Sequence, residues 1–280
     1  MRRRRRDLLR AAAVVATGGA LATGYEALCG APYRLDVSHH ALGRIPTENG
    51  GRAPLRIAHV SDLHLTRVGP LETTLLERLE RLKPGLIVLT GDSVDRPGGA
   101  AALAEFLAAC PRGVRKLAIL GNWEYTSGIS LGHIRDLHER HDVELLVNRS
   151  VTHPVAGTVV RITGLDDLRQ GCPDAAAALA DAAPCAHHLV LAHCPALRDV
   201  LALPEDHPAT AVLSGHTHGG QIAPGGLALL TPGGSGRYVA GWYRDGTAPP
   251  LFVSRGVGTS TIPVRLGSLP ELACIDWHLA

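Results

Sequence analysis

The sequence predicts an α/β fold, a sheet covered by helices, on three observations. Short aliphatic runs alternate with segments of helical spacing from Leu55 onward. The runs stop at glycine or polar residues, and proline or glycine closes the helical segments. Leu55–Val60 reads as the first buried strand, followed by a helix over Leu71–Leu82 with Leu71, Leu75, Leu76, Leu79 and Leu82 on one face. Pro84-Gly85 stops that helix, and Leu86–Thr90 is the second strand. A helix over Ala100–Ala109 is closed by Pro111, ahead of the strand Lys116–Leu120. Ile129–Arg140 has helical spacing, and His188–Ala192 and Thr210–Leu213 complete five strands. The 280 residues give ample core for one large domain or two small ones.

Composition narrows the class. Hydrophobic residues make up 45% and charged residues 19%, which excludes a disordered tail or a fibrous repeat. Aromatics at 4% argue against a stacking surface for single-stranded nucleic acid. The net charge of +2 is uneven. Arg2 to Arg6 and Arg10 face only Asp7 and Glu26 in the first thirty residues, so the rest of the chain is slightly acidic. A body of that charge is not built for polyanions, and nucleic acid is not the expected partner.

The basic head and the uncharged stretch Ala11–Tyr25 form an export-signal pattern over residues 1–30. Arg5-Arg6-Asp7-Leu8-Leu9-Arg10 resembles a twin-arginine signal, which implies the twin-arginine export machinery as a partner. The expected location is exported: the periplasm, the cell wall or the outer face of the cytoplasmic membrane. An uncleaved membrane tether and a basic tail on anionic surfaces are the alternatives for this segment. Fifteen uncharged residues fall short of the roughly 20 that span a bilayer. The six cysteines form no CxxC pair and are expected as small hydrophobes. Cys172 and Cys185 are the pair expected if any disulfide forms.

The residues just beyond each strand carry the chemistry. Val60 leads into Asp62-Leu63-His64, Thr90 into Gly91-Asp92 and Leu120 into Gly121-Asn122. Ala192 leads into His193, and Leu213 into Gly215-His216-Thr217-His218. Carboxyl ends of strands are where open α/β sheets build sites. Two apart on an extended segment, Asp62 and His64 should project to one side, as should His216 and His218. Seven oxygen and nitrogen donors can then converge, about what two metal ions need when one group is shared. Any one of these residues alone reads as a turn cap or a structural histidine.

These blocks resemble those of the calcineurin-like metallophosphoesterases: Asp62-x-His64, Gly91-Asp92, Gly121-Asn122, His193 and Gly215-His216-x-His218. The longer string Gly215-His216-Thr217-His218-Gly219-Gly220-Gln221 resembles an exported or membrane-associated bacterial subgroup, some of whose members act on envelope lipids. The resemblance implies a four-layer αββα sandwich of two mixed β-sheets flanked by helices. It implies that Asp62, His64 and His218 bind one metal, and that Asn122, His193 and His216 bind the second. Asp92 would bridge the two, with Asp92 and Asn122 at the catalytic centre. Carboxylates, an amide oxygen and imidazoles suit Mn, Fe or Zn ions. Two such ions would activate a shared water as hydroxide for in-line attack on phosphorus.

One block departs from the family pattern. Most members have His after Gly-Asn, where this chain has Trp123 and then Glu124. Indole donates a hydrogen bond and cannot supply a proton. Leaving groups that need no acid, such as aryl phosphates or a pyrophosphate-type link, should suffer least. Tyr125 and His133 are the nearby candidates to substitute for the missing His, and the role of Glu124 is open. Arg255 and Arg265 are candidates to contact phosphate. Pro224-Gly225-Gly226 and Pro232-Gly233-Gly234-Ser235-Gly236 read equally as substrate-side loops or an ordinary hairpin.

The expected organisation is a signal or tether over 1–30, a linker over 31–51 and the metallophosphoesterase domain over 52–280. The expected function is an exported dinuclear phosphoesterase acting on a phosphodiester or pyrophosphate-type bond. Its substrate would be a phosphorylated small molecule or a lipid-linked envelope component. The alternatives are a metal-binding envelope protein with little activity, because of Trp123, and a nuclease of the same fold.

Overall fold

The computed structural model describes residues 19–45, 52–155 and 157–279. The twin-arginine-like run, Arg5 to Arg10, lies outside the described residues. In chain order the elements are β1 (Asp36–Leu42), β2 (Leu55–Val60), α1 (Pro70–Leu82), β3 (Leu86–Thr90), α2 (Gly99–Ala109) and β4 (Arg115–Ile119). Next come α3 (Asn122–Thr126), α4 (Leu131–Arg140), β5 (Val143–Leu145), β6 (Arg149–Val155), β7 (Thr158–Gly164) and α5 (Ala175–Leu179). The chain continues through β8 (His188–Leu191), α6 (Leu197–Val200), β9 (Ala211–Ser214), β10 (Gly241–Tyr243), β11 (Leu251–Val253) and β12 (Glu271–Trp277). All five expected strands and three expected helices form, with ends displaced by at most two residues.

Local chemistry explains why α1 starts and stops where it does. Pro70 holds the first helical position, and Glu72 accepts the Gly69 N–H at 2.8 Å. Lys83, in a left-handed conformation, ends it. Its buried leucines, Leu71, Leu75 and Leu79, face the sheet.

Two six-stranded mixed sheets form, ordered β1-β12-β2-β3-β4-β5 and β10-β11-β9-β8-β7-β6. β2 to β5 run parallel, as do β7, β8, β9 and β11. Strand alternation divides each sheet's side chains between two cores. On β3, Leu86 and Val88 pack between the sheets, against Ile162, Leu189 and Leu213. Ile87 and Leu89 face outward, under Leu75, Leu103, Phe106 and Ile134 of the helices. The far side of the second sheet is covered by Ala178, Leu197 and Tyr238 over Val190 and Val212. Two mixed sheets flanked by helices are the expected architecture.

The linker expectation needs correcting within 31–51. Asp36–Leu42 is an edge strand, β1, in parallel register with all seven residues of β12. Its residues lack the dense aliphatic run of a central strand because only one of its edges is paired. All six cysteines are free thiols. Among the described residues no helix is long and apolar enough to cross a membrane.

Candidate metal centre

The carboxyl ends of β2, β3 and β4 in one sheet meet those of β8 and β9 in the other. Asp62 and His64 follow β2, Asp92 follows β3, and Asn122 opens α3 after β4. His193 follows β8, and His216 and His218 follow β9. These segments are not extended, so extended alternation is not why the donors converge. Asp62, His64, Asp92, His216 and His218 all have positive φ, between 45° and 71°. Non-glycine residues rarely adopt that region, and such outliers concentrate at functional sites. Backbone bonds fix the turns: Asp62 N–H donates to Gly91 O at 3.0 Å, and His64 N–H to Asp92 O at 2.9 Å.

Two groups of buried donors result: Asp62, His64 and His218, and Asp92, His193 and His216. Within each, one donor atom per residue lies within 4.8 Å of the others. His64 Nε2 is 3.2 Å from His218 Nε2, and His218 Nε2 is 3.5 Å from Asp62 Oδ1. Asp92 Oδ2 is 3.1 Å from His193 Nε2 and 3.8 Å from His64 Nε2, so this carboxylate reaches both groups.

The hydrogen bonds around the second group test whether a cation fits. His193 Nδ1 donates to Thr90 O at 2.8 Å, and His216 Nε2 donates to Gly233 O at 2.8 Å. In the neutral rings those bonds leave His193 Nε2 and His216 Nδ1 as the lone pairs a cation would use. The two lone pairs face each other at 3.1 Å, beside a carboxylate oxygen. Asn122 Oδ1 is buried with no hydrogen-bond partner. Acceptors turned toward one another without a donor fit a divalent cation.

Charge follows the same geometry. Burial raises Asp92, yet the charge and hydrogen bond of His193, with His64, outweigh it and hold the carboxyl below the usual range. Burial pushes Asp62 up despite His193 nearby. Burial opposes charge on His193, but Asp92 and Asp62 raise it to about 10, so a proton occupies the place a cation would take. Burial and His193 bring His216 down to about 4. Burial, His64 and Arg265 hold His218 well below its ordinary value, leaving a neutral ring.

A supporting layer was only partly legible. Glu124 accepts the N–H groups of Asp92 at 3.0 Å, Ser93 at 2.6 Å and Gly121 at 2.8 Å. It therefore ties the Asp92 turn to the Asn122 helix, which settles its open role. Gly121 has no room for a side chain, because a Cβ there would sit 2.9 Å from His193 Cε1. Both arginines expected to contact phosphate are committed elsewhere. Arg265 is fully buried and donates to the carbonyls of Arg255, Gly256, Gly258 and Ser268. Arg255 pairs with Asp36 at 2.6 Å and Glu271 at 2.9 Å.

A cavity of about 520 Å³ opens on this centre. Asp92, Asn122, His216 and His218 line one side, and Trp123 and Arg169 stand beside them. Leu229, Leu230 and Ile262 also line the cavity, 60%, 83% and 47% exposed. The Trp123 backbone N–H donates to Asp92 Oδ1 at 2.8 Å, while its ring meets His64 edge-on at 6.1 Å. Neither expected substitute supplies a proton here: the Tyr125 hydroxyl donates to Asp166, and His133 is exposed on α4, outside the lining. Pro224–Gly226 is a short turn, whereas Gly233 of the second glycine segment holds His216. Arg169 was missed. Only the acidic pair Asp166-Asp167 just after β7 hinted at this loop, and nothing in the sequence marked the arginine itself.

A two-sheet α/β sandwich with paired clusters of Asp and His donors at its strand ends defines a metal-dependent hydrolase. The chain belongs to the calcineurin-like phosphoesterase family, whose model matches residues 55–220, and is accordingly a metal-dependent phosphoric ester hydrolase. That family typically binds two divalent metals, in agreement with the two donor groups. The chain is 30% identical over 248 residues to the uncharacterized metallophosphoesterase YkuE of Bacillus subtilis, covering 86% of this chain and 85% of that protein. It is also 30% identical over 281 residues to the phosphodiesterase YaeI of Escherichia coli, covering 98% of each. Among solved structures, the Haemophilus influenzae NAD nucleotidase aligns at 16% identity and a TM-score of 0.48. That alignment covers 73% of this chain, which spans about half the length of the nucleotidase (50%).

Proposed function

We propose that this chain is an exported phosphodiesterase that cleaves a phosphodiester or pyrophosphate-type bond in an amphiphilic, lipid-linked substrate of the cell envelope. One observation carries the reading: a single cavity joins the donor clusters to a wall of exposed leucines. A phosphate placed against the clusters leaves its substituent beside Leu229, Leu230 and Ile262, which favour an aliphatic chain over a sugar or base. Asp62, His64 and His218 would hold one ion, Asn122, His193 and His216 the other, with Asp92 between them. Bound there, Mn, Fe or Zn ions would activate water and polarise the phosphoryl oxygens. The chain's own residues keep the ligands preorganised: Glu124 fixes the Asp92 turn, and Thr90 and Gly233 fix the two imidazoles. The export reading rests on Arg2 to Arg10 and on the similarity of the N-terminal segment to twin-arginine signals.

The test is turnover of bis(p-nitrophenyl) phosphate by protein loaded with Mn, Fe or Zn, then of short- and long-chain dialkyl pyrophosphates. Activity lost in Asp92→Ala, with preference for the longer chain, is the expected result. Equal rates for both chains would remove the lipid assignment. Trp123 favours a second reading, a metal-binding envelope protein with little catalysis, and absence of turnover with every metal would establish it.

A further inference from the structure

The cavity lacks an acid. Apart from the candidate metal ligands, Arg169 is the one ionisable side chain among the described residues that line it. Other arginines near the sandwich ends are spoken for: Arg56 by Asp276, Arg198 by Asp245, Arg255 by Asp36 and Glu271. Arg169 makes no ion pair or side-chain hydrogen bond among the described residues. Its guanidinium carries no stabilising carboxylate, although Asp166 and Asp167 precede it in the chain.

The backbone beneath it is nonetheless built with care for position. Asp167 Oδ2 accepts the N–H of Arg169 at 2.8 Å and of Gln170 at 2.7 Å. Asp167 Oδ1 accepts the thiol of Cys194 at 3.2 Å, and Cys194 adjoins His193. The stem of Arg169 lies along Gly234, where a Cβ would stand 3.0 Å from both Arg169 Cδ and Cys194 Sγ. Gly234 has φ +97°, and its neighbour Gly233 supplies the carbonyl that orients His216. The glycine segment thus serves two purposes, holding a candidate ligand and leaving space for a cation. A planar, unpaired guanidinium beside the donor clusters matches an oxyanion in shape and charge.

We propose that Arg169 contacts the substrate phosphate and stabilises the negative charge that develops on the leaving oxygen. The proposal rests on the phosphodiesterase reading above and assigns the part that Trp123 cannot play. In the reaction, water's oxygen bonds to phosphorus and the phosphorus–leaving-oxygen bond breaks. The electron pair departs with the leaving oxygen, and water's proton passes to solvent. Arginine is too weak an acid to protonate that oxygen, so it stabilises the anion as an anion. Substrates whose leaving group is a stable oxyanion, a phosphate above all, are therefore the ones this cavity suits.

Arg169→Ala and Arg169→Lys test this against wild type on a series of aryl phosphodiesters with graded leaving-group acidity. The side chain is exposed, so both variants should keep the fold and the metal content. Arg169→Ala should lose about 10²-fold in kcat/KM, the scale of one lost oxyanion donor. The loss should grow as the leaving group becomes less acidic, and millimolar guanidinium should restore part of it. Calorimetric titration with inorganic phosphate should show weaker binding to the variant. Unchanged kcat/KM, or the same loss for every leaving group without guanidinium rescue, overturns the assignment while wild-type turnover leaves the hydrolase reading intact. A wild type inactive with every metal removes both.

Discussion

At the scale of single residues, the site depends on side chains that act through backbone. Glu124 is buried and accepts three N–H groups on two different turns, and burial with Asp92 raises its carboxyl to about 7. Glu124→Gln keeps the shape but turns one acceptor oxygen into a donor facing N–H groups. The variant should lose about 2–3 kcal/mol in stability, read by urea unfolding, and about 10–100-fold in metal affinity. A metal affinity equal to wild type would remove Glu124 from the supporting layer. Trp123→His asks a different question, because it restores a proton donor beside Asp92. Hydrolysis of alkyl phosphodiesters should rise by about 10²-fold while aryl diesters change little, which paired rate measurements will show. Equal changes would mean that leaving-group protonation is not what the indole costs. The seven candidate ligands were legible because donor residues recur at the ends of aliphatic runs. Glu124 and Arg169 were not, because their partners are N–H groups and a cavity that only the folded chain assembles.

At the scale of elements, central strands were legible and edge strands were not. β2, β3, β8 and β9 are largely buried on both faces and read as mainly aliphatic runs, with Arg56, His59 and His188 the main interruptions. β1, with Ser38, His39 and His40, and β6, with Arg149 and His153, sit at sheet margins and carry no such run. Burial on one side relaxes the demand for aliphatic residues, so the pattern that reveals central strands fades there. The assignment of 31–51 as linker failed for this reason. It has a consequence for any shortened chain. Removing residues before Arg52 deletes β1, exposes the backbone edge of β12 over Glu271–Trp277, and frees Arg255 from Asp36. A chain beginning at Arg52 should unfold at lower urea than one beginning at Gly19, by on the order of 2–4 kcal/mol. It should also elute partly as oligomer on size exclusion. Matching stability and elution would show that β1 is dispensable trim.

For the whole molecule, the two sheets are joined by an apolar core and by a polar seam at one end, and both respond to pH. His59 and His188 are fully buried. His59 Nε2 meets Thr90 Oγ1 at 2.8 Å, and His188 Nε2 meets Thr163 Oγ1 at 2.8 Å. Burial lowers each to about 4, against an ordinary 6.5. Between those values the unfolded chain binds protons that the folded chain refuses, so folding stability rises with pH. The contribution is complete above about pH 6.5 and is lost as the pH falls toward 4. At about 1.4 kcal/mol per unit, each histidine could withdraw on the order of 3 kcal/mol. Chelator-treated protein isolates this effect, because ligand protonation would otherwise release metal and destabilise the fold by mass action. Urea unfolding at pH 7 and pH 5 should then show a clear loss on acidification, and His188→Asn should shrink it, since one of several histidines lowered by burial, His216 and His218 among them, is gone. A pH dependence untouched by that substitution would place the acid sensitivity outside His188, and His193 could not supply it, because a pKa raised to about 10 adds stability as the pH falls from 10 to 6.5 and no more below that.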